Sequence, residues 1–371
     1  MPCKDATYCL TIQRSQPFTR DEITFLQLFL KLAESKNVYQ DIDEVFSRDS
    51  INSLATQAIS ETLGLGNISY QVIYNMINWS QQTYEGQNIS MCIGIEESDL
   101  SSTDGRTHKI PFFKIAHEDF FKVLSNGYDT MIVLNKEGDF YALTTLVENN
   151  NEKVYAPFRF SKVAQWTSSN SNVAFVLNRN GEILIFKKGE LTFARRNGKW
   201  FFYSHNQAIR QLSSGTGKIF SHETREAIYL TALDVAFTRT GGCIGFIRKK
   251  HIGNFNKDEI LSSENNFNAP EQDTKTDTLK SVVSKKKFYE IPRLLRMELV
   301  SVDGATIVSH DQKLISVGAI LRLHGNDISS TGGGRTLAAM TLGKYGLGIK
   351  ISNDGYIKVY SDSSEPILQI N

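Results

Sequence analysis

Cysteine is scarce in this chain. Its four residues, Cys3, Cys9, Cys92 and Cys243, are scattered over 371 positions with no CxxC pair and no Cys/His metal spacing. That argues against a disulfide framework or a zinc ribbon, and reads as reduced thiols of a cytoplasmic protein. Charge of one sign is equally lacking: Lys and Arg total 41 against 40 acids. Nothing global therefore pulls the chain toward nucleic acid or a membrane surface, and any polyanion site has to be local. No run of about 20 apolar residues offers a bilayer span, and no secretory leader is evident, so a soluble cytoplasmic chain is expected. A Walker phosphate loop is missing as well. Gly215-Thr216-Gly217-Lys218 has Leu212 where that motif needs glycine and Ile219 where it needs Ser or Thr.

What is present suffices for two or three domains, since 40% of the 371 residues are apolar. Residues 1–106 read as mainly helical. Thr19-Arg20-Asp21-Glu22 is a capping-box pattern that leads into an apolar stripe of Ile23, Phe25, Leu26, Phe29, Leu30 and Leu32, expected to pack in a core. A second helix is expected from about Ser50 to Leu63, Tyr70–Trp79 is open between helix and strand, and Ile89–Ile95 reads as a buried strand. After a polar gap at 96–107 comes a helix near Ala116–Leu124, and residues 107–205 then become β-rich. Val133-Leu134-Asn135-Lys136-Glu137-Gly138-Asp139 recurs as Val176-Leu177-Asn178-Arg179-Asn180-Gly181-Glu182, a hairpin used twice, and Arg196-Asn197-Gly198-Lys199 makes a further turn in what reads as a meander. This module carries no catalytic signature, which favours a sensor or partner-binding role.

The last part, 206–371, alternates helices and strands, so an α/β domain with a mixed sheet is expected. Ser221 is an N-cap candidate for a helix that passes through Gly241-Gly242 into the strand Cys243–Ile247. Residues 254–287 interrupt the pattern as a segment too polar to bury, and Lys285-Lys286-Lys287 within it reads as a solvated patch rather than a nucleic-acid contact. The chemistry concentrates further on. Val302-Asp303-Gly304-Ala305 is an acidic turn between apolar runs, and Gly332-Gly333-Gly334 opens a helix with Arg335 and Thr336 in its first turn. Glycines let backbone N–H groups face an anion, a helix N-terminus adds partial positive charge, and a guanidinium grips phosphate oxygens in pairs. Asp303 supplies a carboxylate able to hold Mg²⁺ or orient an attacking hydroxyl.

In that order the two motifs resemble the diadenylate cyclase domain, the nucleotide-binding module of bacterial DNA-integrity scanning proteins, over about Phe220–Ser361. That family has Asp-Gly-Ala after one strand, then Gly-Thr-Arg-His-Arg opening a helix. The first motif is intact as Asp303-Gly304-Ala305. Of the second, Arg335 matches the last arginine, while Gly333 and Gly334 stand where the family has arginine and histidine. Two missing charged grips correspond to roughly 3–6 kcal/mol. Arg322 and His324, alternating on one strand face, either replace them or form a solvent-facing edge pair. The resemblance implies condensation of two ATP molecules into cyclic di-AMP in a homodimer of facing domains. It assigns Asp303 to Mg²⁺ or Mn²⁺ and to catalysis, and Gly304, Ala305, Gly332, Gly333, Gly334, Arg335, Thr336 and Arg322 to the nucleotide. A nucleotide-binding sensor and a partner-binding scaffold are the other classes open.

Overall fold

The computed structural model describes residues 17–35, 48–96, 110–148, 153–169, 171–214, 220–258, 266–267, 274–283, 285–322 and 333–370. They form two compact units, one up to Tyr70 and one from Gln71 onward. No helix among the described residues is long and apolar enough to cross a membrane.

In the first unit, α1 (Arg20–Ser35) begins at the expected capping box: the Thr19 hydroxyl accepts from the Glu22 N–H, and the Glu22 carboxylate accepts from the Thr19 N–H at 2.7 Å. The apolar stripe, expected to pack in a core, is only partly covered: Phe25, Leu26, Phe29, Leu30 and Leu32 are half-buried, no residue of α1 is fully buried and Ile23 is 44% exposed. α2 (Arg48–Leu63) ends at Gly64 and Gly66, both at positive φ, and α3 (Asn67–Trp79) follows. Tyr70–Trp79 is therefore helix. The turn is fastened by Ser60 and Ser69, whose buried hydroxyls lie 2.7 Å apart.

The second unit contains a small hairpin, β1 (Thr83–Tyr84) with β2 (Gln87–Asn88), and two larger sheets. The first of these has eight strands in the order β10-β9-β8-β7-β3-β5-β6-β4. Its members are β3 (Met91–Glu96), β4 (Ile110–Pro111), β5 (Thr130–Asn135), β6 (Asp139–Thr145), β7 (Val173–Leu177), β8 (Ile183–Lys187), β9 (Glu190–Arg196) and β10 (Lys199–Phe202). β7 to β10 form the expected meander. The earlier hairpin β5–β6 does not continue it, because β3 lies between, parallel to β5 and antiparallel to β7. What repeats is local turn chemistry. In each copy the asparagine carbonyl accepts from the turn glycine (Gly138, Gly181) and the asparagine side-chain oxygen accepts from the next N–H (Asp139 at 2.8 Å, Glu182 at 3.0 Å). The helix expected near Ala116–Leu124 is replaced by α4 (Phe112–Ile115) and a 3₁₀ turn, Asp119–Val123. That break lets Phe112 and Phe121 meet each other at 5.9 Å and both reach Trp79.

Next come α5 (Ser161–Trp166), which precedes β7 in the chain, α6 (His205–Ser214) and α7 (His222–Thr238). Ser221 caps α7 as its sequence suggests, accepting from the Thr224 N–H, and Arg239 closes it in the left-handed conformation. The six-stranded sheet runs β13-β12-β11-β14-β15-β16: β11 (Gly242–Ile247), β12 (Ala305–Val308), β13 (Leu314–Ala319), β14 (Gly346–Ile351), β15 (Ile357–Tyr360) and β16 (Leu368–Ile370). Only β11 and β12 pair in parallel, so the sheet is mixed. The remaining helices are α8 (Ile252–Asp258), α9 (Thr274–Val283), α10 (Arg293–Ser301) and α11 (Gly334–Tyr345). Alternation along β11 gives the sheet two buried faces. Ile244 and Phe246 join the core that holds Ala232, Leu233 and Leu299 of α7 and α10, whereas Cys243 and Ile247 join the core that holds Ala339 and Leu342 of α11. Gly245 and Gly348 admit α11 closely, since a Cβ at the first would strike Leu342 and at the second the Ala339 carbonyl. The segment 254–287, expected to be too polar to bury, is anchored by the buried Phe255, Phe267 and Val283.

The two sheets are tied by one buried carboxylate. Glu182, 1% exposed, accepts from Arg196 Nε at 2.7 Å, from Arg239 Nη2 at 2.5 Å and from Asn178 Nδ2 at 2.7 Å. Arg196 also donates to the carbonyls of Gly355 and Ala236, both at 3.1 Å, and lies 4.2 Å over the Phe237 ring. A second polar knot surrounds His205. Its Nε2 is 2.8 Å from the Leu191 carbonyl, which can only accept, so Nδ1 is the unprotonated nitrogen and accepts from the Tyr229 hydroxyl at 2.7 Å. Burial lowers its pKa from 6.5 to about 4. An unfolded chain binds this proton near pH 6.5 and the folded one only near pH 4. The stability is therefore complete above pH 6.5 and is lost as pH falls from there toward 4, by about 3 kcal/mol. Denaturant titration across that window should show this slope, and His205→Gln should remove it.

Candidate functional site

The register of the six-stranded sheet decides which loops meet. Ile244 pairs with Thr306, so the start of β11 lies level with Gly304, just before β12. Gly242 pairs with Ile351 at the end of β14, and Ala305 pairs with Ala319 at the end of β13. The Asp303 turn, Gly241, the Ser352–Gly355 turn and the chain after β13 therefore share one sheet end. α11 begins there too, because Arg335 in its first turn donates to Asn353 Oδ1 at 2.5 Å. Gly241 makes room for that contact: a Cβ on it would collide with the Arg335 guanidinium and the Asn353 amide. Asp303 and the β14–β15 turn are two strands apart, roughly 10 Å.

Asp303 is exposed in the turn between α10 and β12. Gly304 has φ +97° and lies against backbone, since a Cβ on it would come within 2.5 Å of the Gly318 carbonyl carbon. Its glycine is thus demanded by the contact between β12 and the bulged strand β13, whatever approaches from outside. Ala305 is buried in β12. Gly333 is the N-cap of α11 and Gly334 its first residue, both exposed with a Cβ direction that meets nothing. Neither has positive φ, so the backbone conformation imposes no glycine there. Thr336 Oγ1 accepts from Lys350 Nζ at 2.8 Å. Arg322 is exposed beyond β13 on the same sheet end. Gly332 and His324 lie outside the described residues.

The structure adds two cations that the sequence reading missed. Lys350 on β14 and Lys358 on β15 are direct cross-strand partners, so they share one face. Like charges opposite each other destabilise a sheet unless an anion or acid answers them. Here burial, Lys358 and Arg335 all lower the Lys350 pKa, and Asp354 alone opposes the shift. A recess of about 250 Å³ is lined by Lys350, Ser352, Asp354, Tyr356, Lys358 and Gln369. The signal was in the sequence: counting outward from the centre of Asn353-Asp354-Gly355 pairs the two lysines. Cys243, opposite Lys350, is no nucleophile, because burial raises its thiol to about 12 although Arg335 opposes this.

Among the described residues no three His, Cys, Asp or Glu side chains cluster as a metal cage. Asp303, exposed in its turn, offers one carboxylate of the kind that holds a hard divalent ion together with a ligand's own oxygens.

No family model matches the chain, and no curated protein does. Among solved structures, a double cysteine mutant of DacA from Staphylococcus aureus is similar over 42% of this chain and 83% of that one, with 17% identity and a TM-score of 0.24.

Because Gly304 is fixed by backbone packing, Gly304→Ala should destabilise the chain by about 2–5 kcal/mol, the sum of a left-handed backbone and an overpacked contact. Gly334→Ala should leave the melting temperature within a degree or two. Thermal unfolding followed by circular dichroism tests both.

Proposed function

We propose that the six-stranded half of the molecule is a nucleotidyltransferase of the diadenylate cyclase type, condensing two ATP molecules into cyclic di-AMP with release of pyrophosphate. The observation that carries this reading is the convergence of the Asp303 turn and the Arg335 helix start on one sheet end, beside a cross-strand lysine pair whose mutual repulsion only Asp354 offsets. A triphosphate is the ligand such a cluster suits, being polyanionic.

Each of the two steps makes and breaks one bond. A ribose 3′-oxygen of one ATP attacks the α-phosphorus of the other, the bond from that phosphorus to the bridging oxygen breaks, and pyrophosphate leaves with that oxygen. Asp303 orients the hydroxyl and takes or relays its proton. Arg335, Lys350 and the first free N–H groups of α11 neutralise the charge gathering on the leaving pyrophosphate. A divalent ion at Asp303 would supply further neutralisation of the phosphates. One such site holds one ATP, so attack requires a second copy facing the first, and a homodimer follows.

A second reading, a nucleotide-binding sensor without turnover, draws on Gly333 and Gly334. They leave open space where the family to which the motifs are similar carries arginine and histidine.

Incubating the full chain with ATP and Mg²⁺ or Mn²⁺, then identifying products by mass spectrometry, separates the readings. Cyclic di-AMP from the wild type and none from a folded Asp303→Asn is the expected result, with specific activity rising with protein concentration. Arg335→Ala and Lys350→Ala should each weaken ATP binding by roughly 1.5–3 kcal/mol. Binding without product supports the sensor, and no binding overturns both.

A further inference from the structure

A second cavity lies where the eight-stranded sheet meets α7 and α10. Its volume is about 540 Å³. That is far larger than a packing defect and within the range of sites for small organic ligands. Its walls are aromatic and aliphatic, with Phe158, Phe160, Phe237, Leu294 and Met297 contributing. The acid at its base is already spent. Asp234 is 2% exposed, and its two oxygens accept from Arg293 at 2.7 Å each and from the Phe158 N–H at 2.7 Å. Two other arginines line the cavity with exposed side chains: Arg159, whose guanidinium lies 4.4 Å over the Tyr128 ring, and Arg179, on the β7–β8 turn. Neither has a carboxylate partner among the described residues. An apolar, ring-lined interior with unanswered guanidinium groups selects a planar hydrophobic body carrying an anionic group.

One lining residue connects this cavity to the other site. Asn178 lines it and donates to Glu182 at 2.7 Å, Glu182 accepts from Arg239 at 2.5 Å, and Arg239 donates to the Asn353 carbonyl at 3.4 Å. The Asn353 side chain in turn holds Arg335 at 2.5 Å. Phe237, in the cavity wall, also lies under Arg196, which bonds Glu182 and the Gly355 carbonyl. Two short routes thus run from the cavity wall to the turn that positions Arg335, one through the Glu182 carboxylate and one through Arg196, which that carboxylate holds in place.

We propose that this cavity is a regulatory site for a small aromatic anion, such as an aryl phosphate or aryl carboxylate, and that its occupancy reaches Arg335 through Glu182. The consequence for nucleotide chemistry rests on the function proposed above, but the binding and its transmission do not, and both are read without nucleotide.

The probe is 1-naphthyl phosphate, with neutral 1-naphthol as its comparator, titrated calorimetrically into the full chain. The ester should bind at least about tenfold more tightly than the alcohol. The double variant Arg159→Ala, Arg179→Ala should weaken it by about tenfold or more, as loss of a charged contact implies. Met297→Trp, which fills the cavity, should abolish binding with the melting temperature retained. Hydrogen exchange of the same samples, with no nucleotide present, should show changed protection at the 352–355 turn and the first turn of α11. Glu182→Gln, or the half-exposed Arg239→Leu should that variant misfold, should erase the change while keeping the ester's affinity within about twofold. Absence of binding, binding indifferent to the arginine and tryptophan substitutions, or binding with unaltered exchange would each overturn the proposal. If the chain then fails to bind ATP, the function proposed above falls while this site stands.

Discussion

The architecture of the larger unit depends on Glu182. It sits in a hairpin of the eight-stranded sheet, yet its ligands come from β9, from the C-terminus of α7 and from Asn178, and Arg196 carries the contact on to the β14–β15 turn. Burying one carboxylate between two arginines is costly unless every lone pair is used, and here both oxygens are. Removing the carboxylate would leave two guanidinium groups, one of them fully buried, without an answer. That asymmetry fixes the register between the sheets more sharply than an apolar contact could, because a sliding interface would strand charge in a dry interior.

Much of the local structure was legible. The Thr19 capping box, the Ser221 cap, the paired asparagine turns and the glycine start of α11 all follow from hydrogen bonds made within about five residues, which sequence spacing specifies directly. Strand order was not legible. β3 reads as an isolated apolar run after helices, and nothing near it reveals that it divides two hairpins of the same sheet. The stripe on α1 looked like core because periodicity reports which face is apolar, and not how completely it is covered. Residues 254–287 misled in the opposite sense: composition averaged over the segment hid three apolar anchors, each buried singly.

At the candidate site, Asp303 and Arg335 are over thirty positions apart, and only the order of their motifs joined them before the sheet register did. Gly304 shows how one residue can satisfy two arguments at once. The resemblance assigns it to the nucleotide, and the contact with Gly318 already demands it. Gly333 and Gly334 are the reverse: among the described residues nothing lies within 4 Å of a Cβ placed on either. Lys350 and Lys358 escaped notice because each occupies an ordinary outward position on its own strand. Their meaning exists only as a pair.

The opposed lysines also bear on handling. An unliganded sheet that holds two ammonium groups side by side gains stability from any multivalent anion that settles between them, in proportion to the logarithm of that anion's concentration. Phosphate, sulfate or citrate in a purification buffer would then act as a folding aid and as a competitor at once. A preparation that is most robust in such buffers would show its weakest apparent affinity there, and Tris or HEPES solutions would reverse the two.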